Sequence, residues 1–222
     1  MEKMKEKIKN NEKFNVFFEF LTEENKKFNL TNITEKNEVY EKHFLDSVQA
    51  LDILNDGAKI LDVGAGAGFP SIPLAILSPE CEFTLIDSLN KRINFLNELK
   101  NRLNLQNIAC YHSRIEDFAE KNREKFDFCV ARAVASLPTL LEYTAPFVKI
   151  NGKIIAYKGS NYQEELNLST AAQEKLGVNL EKIVNYTLPE CSQTRFLLVF
   201  TKIKTTPSIY PRKNNKPRTN PL

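Results

Sequence analysis

At 222 residues with 42% hydrophobic residues, the chain is long enough for one sizeable core and leaves little room for two independent domains. No run approaches the roughly 18 apolar residues of a membrane helix, and Met1-Glu2-Lys3-Met4-Lys5-Glu6 lacks the apolar centre of a signal peptide, so a cytoplasmic protein outside the membrane is expected. Cys81, Cys110, Cys129 and Cys191 lie far apart with no C-x-x-C pair, and the chain has only two histidines, which argues against a zinc site or a disulfide framework. The formal net charge of +3 is unevenly spread: residues 201–222 hold Lys202, Lys204, Arg212, Lys213, Lys216 and Arg218 with no acid, residues 1–13 add +2, and residues 14–200 are left at −5.

In chain order, Phe14, Phe17, Phe18, Leu21 and Phe28 recur at helical spacing and predict an amphipathic helix over residues 14–28. Phe44, Leu45, Val48, Leu51 and Leu54 predict a second, ending before Asp56-Gly57, so residues 1–56 are read as an N-terminal helical extension. From residue 58 short apolar runs alternate with helical segments, the pattern of βαβ units in a mostly parallel sheet. The predicted strands are Lys59 to Val63, Phe83 to Asp87, Ile108 to His112, Phe126 to Ala131, Lys153 to Lys158, Glu181 to Thr187 and Arg195 to Lys202. Helices are predicted near Pro70, on the Ile93, Leu96, Leu99, Leu103 face, over Leu137 to Val148, and over Tyr162 to Leu176 ending at Gly177.

Only a few residues around Leu188-Pro189-Glu190-Cys191 join the last two strands, too few for a crossover helix, so they should pair antiparallel. Residues 57–204 are therefore read as one α/β domain, Rossmann-like and seven-stranded with an antiparallel final pair, the variant found in methyltransferases. Residues 205–222, with prolines at 207, 211, 217 and 221, are predicted as a basic flexible tail suited either to contacting phosphates or to keeping the chain in solution.

Of seven glycines, Gly64, Gly66 and Gly68 fall within five residues, directly after a predicted strand. Such clustering implies a sharp turn and a ligand approaching where a Cβ would block it. The spacing G-x-G-x-G weakens a pyrophosphate reading, which uses G-x-G-x-x-G. Asp87 ends the next strand beside this loop, where its carboxylate would accept from both hydroxyls of a ribose; the alternative is a helix cap. Ser113-Arg114-Ile115-Glu116-Asp117 follows the third strand, where an adenine edge would meet the Ile115 backbone and Glu116, again with capping as the alternative. Arg132 emerges from an apolar strand at the same edge, where a guanidinium needs a partner or water.

These residues resemble the RsmG family, also called glucose-inhibited division protein B, which methylates 16S rRNA at guanine N7. The resemblance runs through Phe28-Asn29-Leu30-Thr31-Asn32-Ile33, His43-Phe44-Leu45-Asp46-Ser47, the glycine loop with Phe69-Pro70, and Leu85-Ile86-Asp87-Ser88-Leu89-Asn90-Lys91-Arg92. It continues through Ser113-Arg114-Ile115-Glu116, Ala131-Arg132-Ala133, Tyr157-Lys158-Gly159 and the tail. It implies an S-adenosylmethionine cofactor held by Gly64, Phe69, Ile115, Glu116 and Arg132, to which the reading of the glycine loop and strand-end acid adds Gly66, Gly68 and Asp87, and a 16S rRNA or 30S subunit partner. Two departures are visible: Ser71 where another glycine is common, and Gln193-Thr194-Arg195-Phe196 in place of a Glu-Arg-His sequence.

Guanine N7 already carries a lone pair, so the resemblance implies transfer without a general base, with Arg132 organising the site. Lys91, Arg92, Arg114, Lys158, Arg212 and Lys213 are the candidate RNA contacts, and a monomer is expected. Two rivals share parts of the pattern. A nicotinamide oxidoreductase would also need a glycine turn and a strand-end acid, and a non-catalytic RNA-binding protein would keep the fold without transferring a methyl group.

Overall fold

A computed structural model describes residues Met1–Leu222. Helices α1 (Glu2–Lys9) and α2 (Glu12–Asn25) open the chain. Asn11 caps α2 through its side chain, which accepts from the Lys13 amide at 3.1 Å, and Asn25 ends it by accepting from the Leu30 and Thr31 amides. The second predicted helix is irregular: α3 (Lys36–Val39) runs into a wide π turn over Tyr40–Leu45 and a tight 3-10 stretch over Val48–Ile53. A π turn brings an extra side chain inward, and Glu41, His43, Phe44 and Leu45 are all buried there.

The domain then alternates β1 (Lys59–Val63), α4 (Ser71–Leu77), β2 (Glu82–Asp87), α5 (Asn90–Arg102), β3 (Ile108–His112), α6 (Ile115–Asn122) and β4 (Phe126–Arg132). It continues with α7 (Leu137–Thr144), β5 (Val148–Lys158), α8 (Tyr162–Leu168), α9 (Thr170–Leu176), β6 (Val178–Leu188), β7 (Gln193–Lys202) and α10 (Lys216–Thr219). Helix α6 is absent from the sequence reading, and the predicted helix over 162–176 is broken into two at Ser169, whose hydroxyl bonds the Leu166 carbonyl. Gly177 ends α9 with φ 74°, as a left-handed cap.

All seven strands form one sheet in the order β3-β2-β1-β4-β5-β7-β6. The first five are mutually parallel, and β7 lies antiparallel between β5 and β6, as the short connection requires. The strand order reverses between β1 and β4, and ligands of open α/β sheets bind at that point, beyond the carboxyl ends of the strands.

Alternation along the strands sorts the core into two layers. In β4, Phe128 and Val130 face a layer built with α2, α4 and α5, while Cys129 and Ala131 face one built with α7 and α9. The predicted Phe14, Phe17 and Leu21 stripe is fully buried in the first layer, where Phe17 stacks on Phe69 at 5.1 Å.

The segment 205–222, expected to be a flexible tail, is packed instead. Thr206 and Tyr210 are buried, and Arg123 donates to the carbonyls of Thr206 at 2.7 Å and Tyr210 at 2.6 Å. No helix is long and apolar enough to cross a membrane.

Candidate active site

The glycine loop crosses the switch point with φ of 74° at Gly64, 57° at Gly66 and 92° at Gly68. Gly66 and Gly68 have different tasks. A Cβ on Gly68 would lie 2.6 Å from Ile72, so this position serves the packing of α4 onto the loop. A Cβ on Gly66 would project into open space with only the Gly64 carbonyl nearby, at 3.8 Å, so this position leaves clearance for a ligand.

Asp87 is 3% exposed and holds the loop in place: its Oδ2 accepts from the Gly66 amide at 3.0 Å and from Arg92 at 3.2 Å, and its Oδ1 accepts from the Leu89 amide at 2.9 Å. The capping and ligand readings are thus compatible, because Asp87 also lines a cavity of about 430 Å³. That cavity gathers Gly64, Asp87, Arg92, Arg114, Ile115 and Glu116, four of which were predicted cofactor contacts.

Asp62, at the end of β1, is fully buried, and neither its carboxyl oxygens nor the Ser71 hydroxyl has a hydrogen-bond partner. Burial raises its carboxyl to about 7; Ser71 lies close enough to pull the value back without closing a bond.

A second cavity, of about 820 Å³, adjoins the first, and Ala133 and Val134 at the end of β4 line both. Ala133 has φ 56°, a strained conformation for a residue with a Cβ, where the chain turns between the two spaces.

Arg132 opens into this second cavity rather than the first. Strand parity explains the placement, since Arg132 continues the Phe128, Val130 face toward the N-terminal helices. Its guanidinium donates to Asp46 Oδ2 at 2.7 Å, the Lys42 carbonyl at 3.0 Å and His43 Nδ1 at 2.8 Å, and it lies 5.0 Å above the Phe69 ring. Phe69 is buried beneath, stacked on His43 at 4.4 Å, and lines neither cavity.

A guanidinium only donates, so His43 Nδ1 must accept and Nε2 must carry the proton, which it gives to Thr31 Oγ1 at 2.7 Å. Burial, reinforced by the Arg132 charge, lowers His43 to about 3, so the ring is neutral. Tyr186 completes the network by donating to Asp46 Oδ1 at 2.7 Å.

The family described as rRNA small subunit methyltransferase G matches residues 10–195. The chain belongs to this GidB family. A relative of that name from Lactococcus lactis subsp. cremoris is 48% identical over 95% of this chain and 90% of its own length. One from Streptococcus pneumoniae serotype 19F is 49% identical over 95% and 91%, and one from Lactobacillus acidophilus 46% over 96% and 92%. The fold is shared with distant solved structures. M. jannaschii TYW2 in complex with AdoMet has TM-score 0.59 and 18% identity over 78% of this chain and 80% of that one. A SAM-dependent methyltransferase from Aquifex aeolicus has TM-score 0.56 and 18% identity over 76% and 94%.

Within this GidB-family chain the six basic residues predicted to meet RNA part company. Arg92 sits inside the first cavity on Asp87, and Lys158 is bound to Glu165 at 2.6 Å and the Ala135 carbonyl at 2.9 Å. Arg212 is paired with the fully buried Glu142 and Lys213 with Glu120, both at 2.7 Å. Lys91, 5.4 Å from the Phe28 ring, and Arg114, at the rim of the first cavity, make no ion pair and are exposed. Sequence reasoning assigned no task to Thr31, His43, Asp46 or Tyr186. For His43 and Asp46 the signal was a polar residue set into an apolar helical segment, which must find a partner, though not which one; Thr31, in a loop, and Tyr186, in β6, carried no such signal.

Proposed function

We propose that this chain transfers the methyl group of S-adenosylmethionine to N7 of a guanine in 16S rRNA, as a monomer in the cytoplasm, acting on the RNA or on the 30S subunit. The observation that carries the reading is the shared wall: the glycine-loop cavity and the Arg132 cavity meet at Ala133-Val134, so a donor in one abuts a base in the other.

The residues present fit the cofactor. Gly66 leaves open the space that any side chain would fill, and Asp87 offers a buried carboxylate for ribose hydroxyls, with Ile115 and Glu116 beside the place of an adenine. When bound, the donor supplies an electrophilic methyl group on a sulfonium that leaves as a neutral thioether. The N7 lone pair forms the new bond, no proton is removed, and the chain needs no general base. His43 accordingly has none of the character of one, being lowered to about 3, and so a weak base, and committed through both ring nitrogens.

The work of the protein is then alignment and exclusion of water. Arg132 uses three of its five N–H donors on Asp46, Lys42 and His43, which fixes the plane of the guanidinium and leaves two for guanine O6 or a phosphate. The deciding experiment maps base methylation in 16S rRNA incubated with the purified chain and labelled donor, as free RNA and as 30S particles. A single new N7-methylguanine is expected; no methyl incorporation in either substrate would refute the reading.

A further inference from the structure

The family match ends at residue 195, yet the segment beyond β7 reaches back to the first cavity. Several buried anchors fix its course. Arg123 binds the Thr206 and Tyr210 carbonyls, Arg212 forks onto Glu142 with Nε at 2.9 Å and Nη2 at 2.7 Å, and Thr139 Oγ1 donates to the Pro217 carbonyl at 2.6 Å. These bonds lay α10 against α7 and bring Asn215 and Arg218 to the lining of the cavity that Asp87, Glu116 and Tyr143 also border, with Arg218 beside Tyr143. Arg218 donates through Nη2 to the Val134 carbonyl at 3.1 Å, at the wall that both cavities share.

We propose that the C-terminal segment forms a wall of the donor pocket and that Arg218 is a cofactor-binding residue, its guanidinium closing on the adenosine moiety next to Glu116. The proposal rests on the reading of this cavity as the S-adenosylmethionine site. A solubilising or RNA-seeking tail has no need of buried anchors, because fixing a chain in one course costs conformational entropy at every residue. Here the anchors flank the cavity on both sides of Asn215. Two basic residues of the segment are not offered to phosphates, since Arg212 is neutralised by Glu142 and Lys213 by Glu120. Arg218 has no carboxylate partner; it meets only the Val134 carbonyl and the Tyr143 hydroxyl, so most of its planar fork is left to stack on a purine face or donate to its edge.

The test is calorimetric titration of S-adenosylhomocysteine into three proteins: the full chain, Arg218→Ala, and a chain ending at Lys213, which keeps the Thr206, Tyr210 and Arg212 anchors. Both variants should bind about tenfold more weakly. Affinity for 16S rRNA measured without the donor should be unchanged, and the unfolding midpoint of Arg218→Ala should match that of the full chain, since this side chain is exposed. Equal S-adenosylhomocysteine affinity in the full chain and Arg218→Ala overturns the proposal, whether or not RNA binding falls; a fall would assign the segment to RNA instead. A full chain that binds no S-adenosylhomocysteine would overturn the donor reading itself, which is a separate and recognisable result. Arg218→Ala decides the matter even if the shortened chain does not fold.

Discussion

Two buried groups pull the stability of this protein in opposite directions with pH, and separating them tests the electrostatics of the site. Asp62 rises from 3.8 to about 7 because it is buried, and His43 falls from 6.5 to about 3 because it is buried beside Arg132. Between these values folded Asp62 keeps a proton that the unfolded chain has lost. Its contribution to stability is therefore complete below 3.8 and lost as pH rises toward 7. Folded His43 lacks a proton that the unfolded chain holds, so its contribution is complete above 6.5 and lost as pH falls toward 3.

One proton each is worth about 1.4 kcal/mol per pH unit, and in the window from about pH 4 to 6.5 the two slopes cancel. Asp62→Asn removes one of them. Urea unfolding at several pH values should show the stability of the variant relative to the parent rising by about 1.4 kcal/mol per pH unit, to a total of about 4 kcal/mol near neutrality. His43→Gln should show the opposite slope, whatever its constant offset from lost hydrogen bonds. A difference between Asp62→Asn and parent that stays flat from about pH 4.5 to 7 would refute the buried, protonated carboxyl.

The glycines of the loop should separate by task. Gly66→Ala should weaken S-adenosylhomocysteine binding by about tenfold or more with a stability loss of only about 1 kcal/mol, measured by calorimetry and urea unfolding. Gly68→Ala should instead destabilise the fold by about 1–3 kcal/mol, because its Cβ meets Ile72 at 2.6 Å. Arg132→Ala should lower methyl transfer by about a hundredfold or more while S-adenosylhomocysteine still binds, since the guanidinium lines the other cavity; unchanged transfer at equal donor affinity would remove its role. Lys91→Ala and Arg114→Ala should each reduce the salt dependence of RNA binding by about one counterion, whereas Arg212→Ala should lower stability by about 3–5 kcal/mol by stranding buried Glu142.

Strands β1 and β3 were legible to the residue, because short apolar runs bounded by polar turns leave little freedom in where a strand begins or ends. The antiparallel final pair followed from the shortness of its connection alone. Asp87 could be placed beside the glycine loop because it ends the next strand, and the parallel pairing of Val63 with Ile86 puts it there. Helix α6 was missed because its start coincides with Arg114-Ile115-Glu116, which reads equally well as a cap and as a binding strip. The network around Arg132 was out of reach for another reason: His43, Asp46 and Tyr186 are brought to it from distant parts of the chain, by packing of the N-terminal helical segment and β6. What the sequence did contain was the parity of β4, which places Arg132 on the opposite face from Ala131 and so away from the α7 layer.

The tail shows how a composition argument fails in physical terms. An acid-free, proline-rich stretch cannot build a core of its own, and that much holds. It omits the possibility that the core supplies the missing partners from elsewhere. Glu142 is the only acid in the otherwise uncharged helix Leu137–Thr144, and burying it there is costly unless a cation reaches it. Arg212 reaches it, and in doing so is withdrawn from any phosphate. The same holds for Lys202, which is fully buried and paired with Glu124 at 2.9 Å. Charge counted along the chain overstates the field available to RNA, because half of the six cations past residue 200 meet a carboxylate from the preceding domain. Of the six basic residues predicted to meet RNA, only Lys91 and Arg114 are left exposed and without a carboxylate, so the two tail residues among them, Arg212 and Lys213, are the ones that composition overcounts.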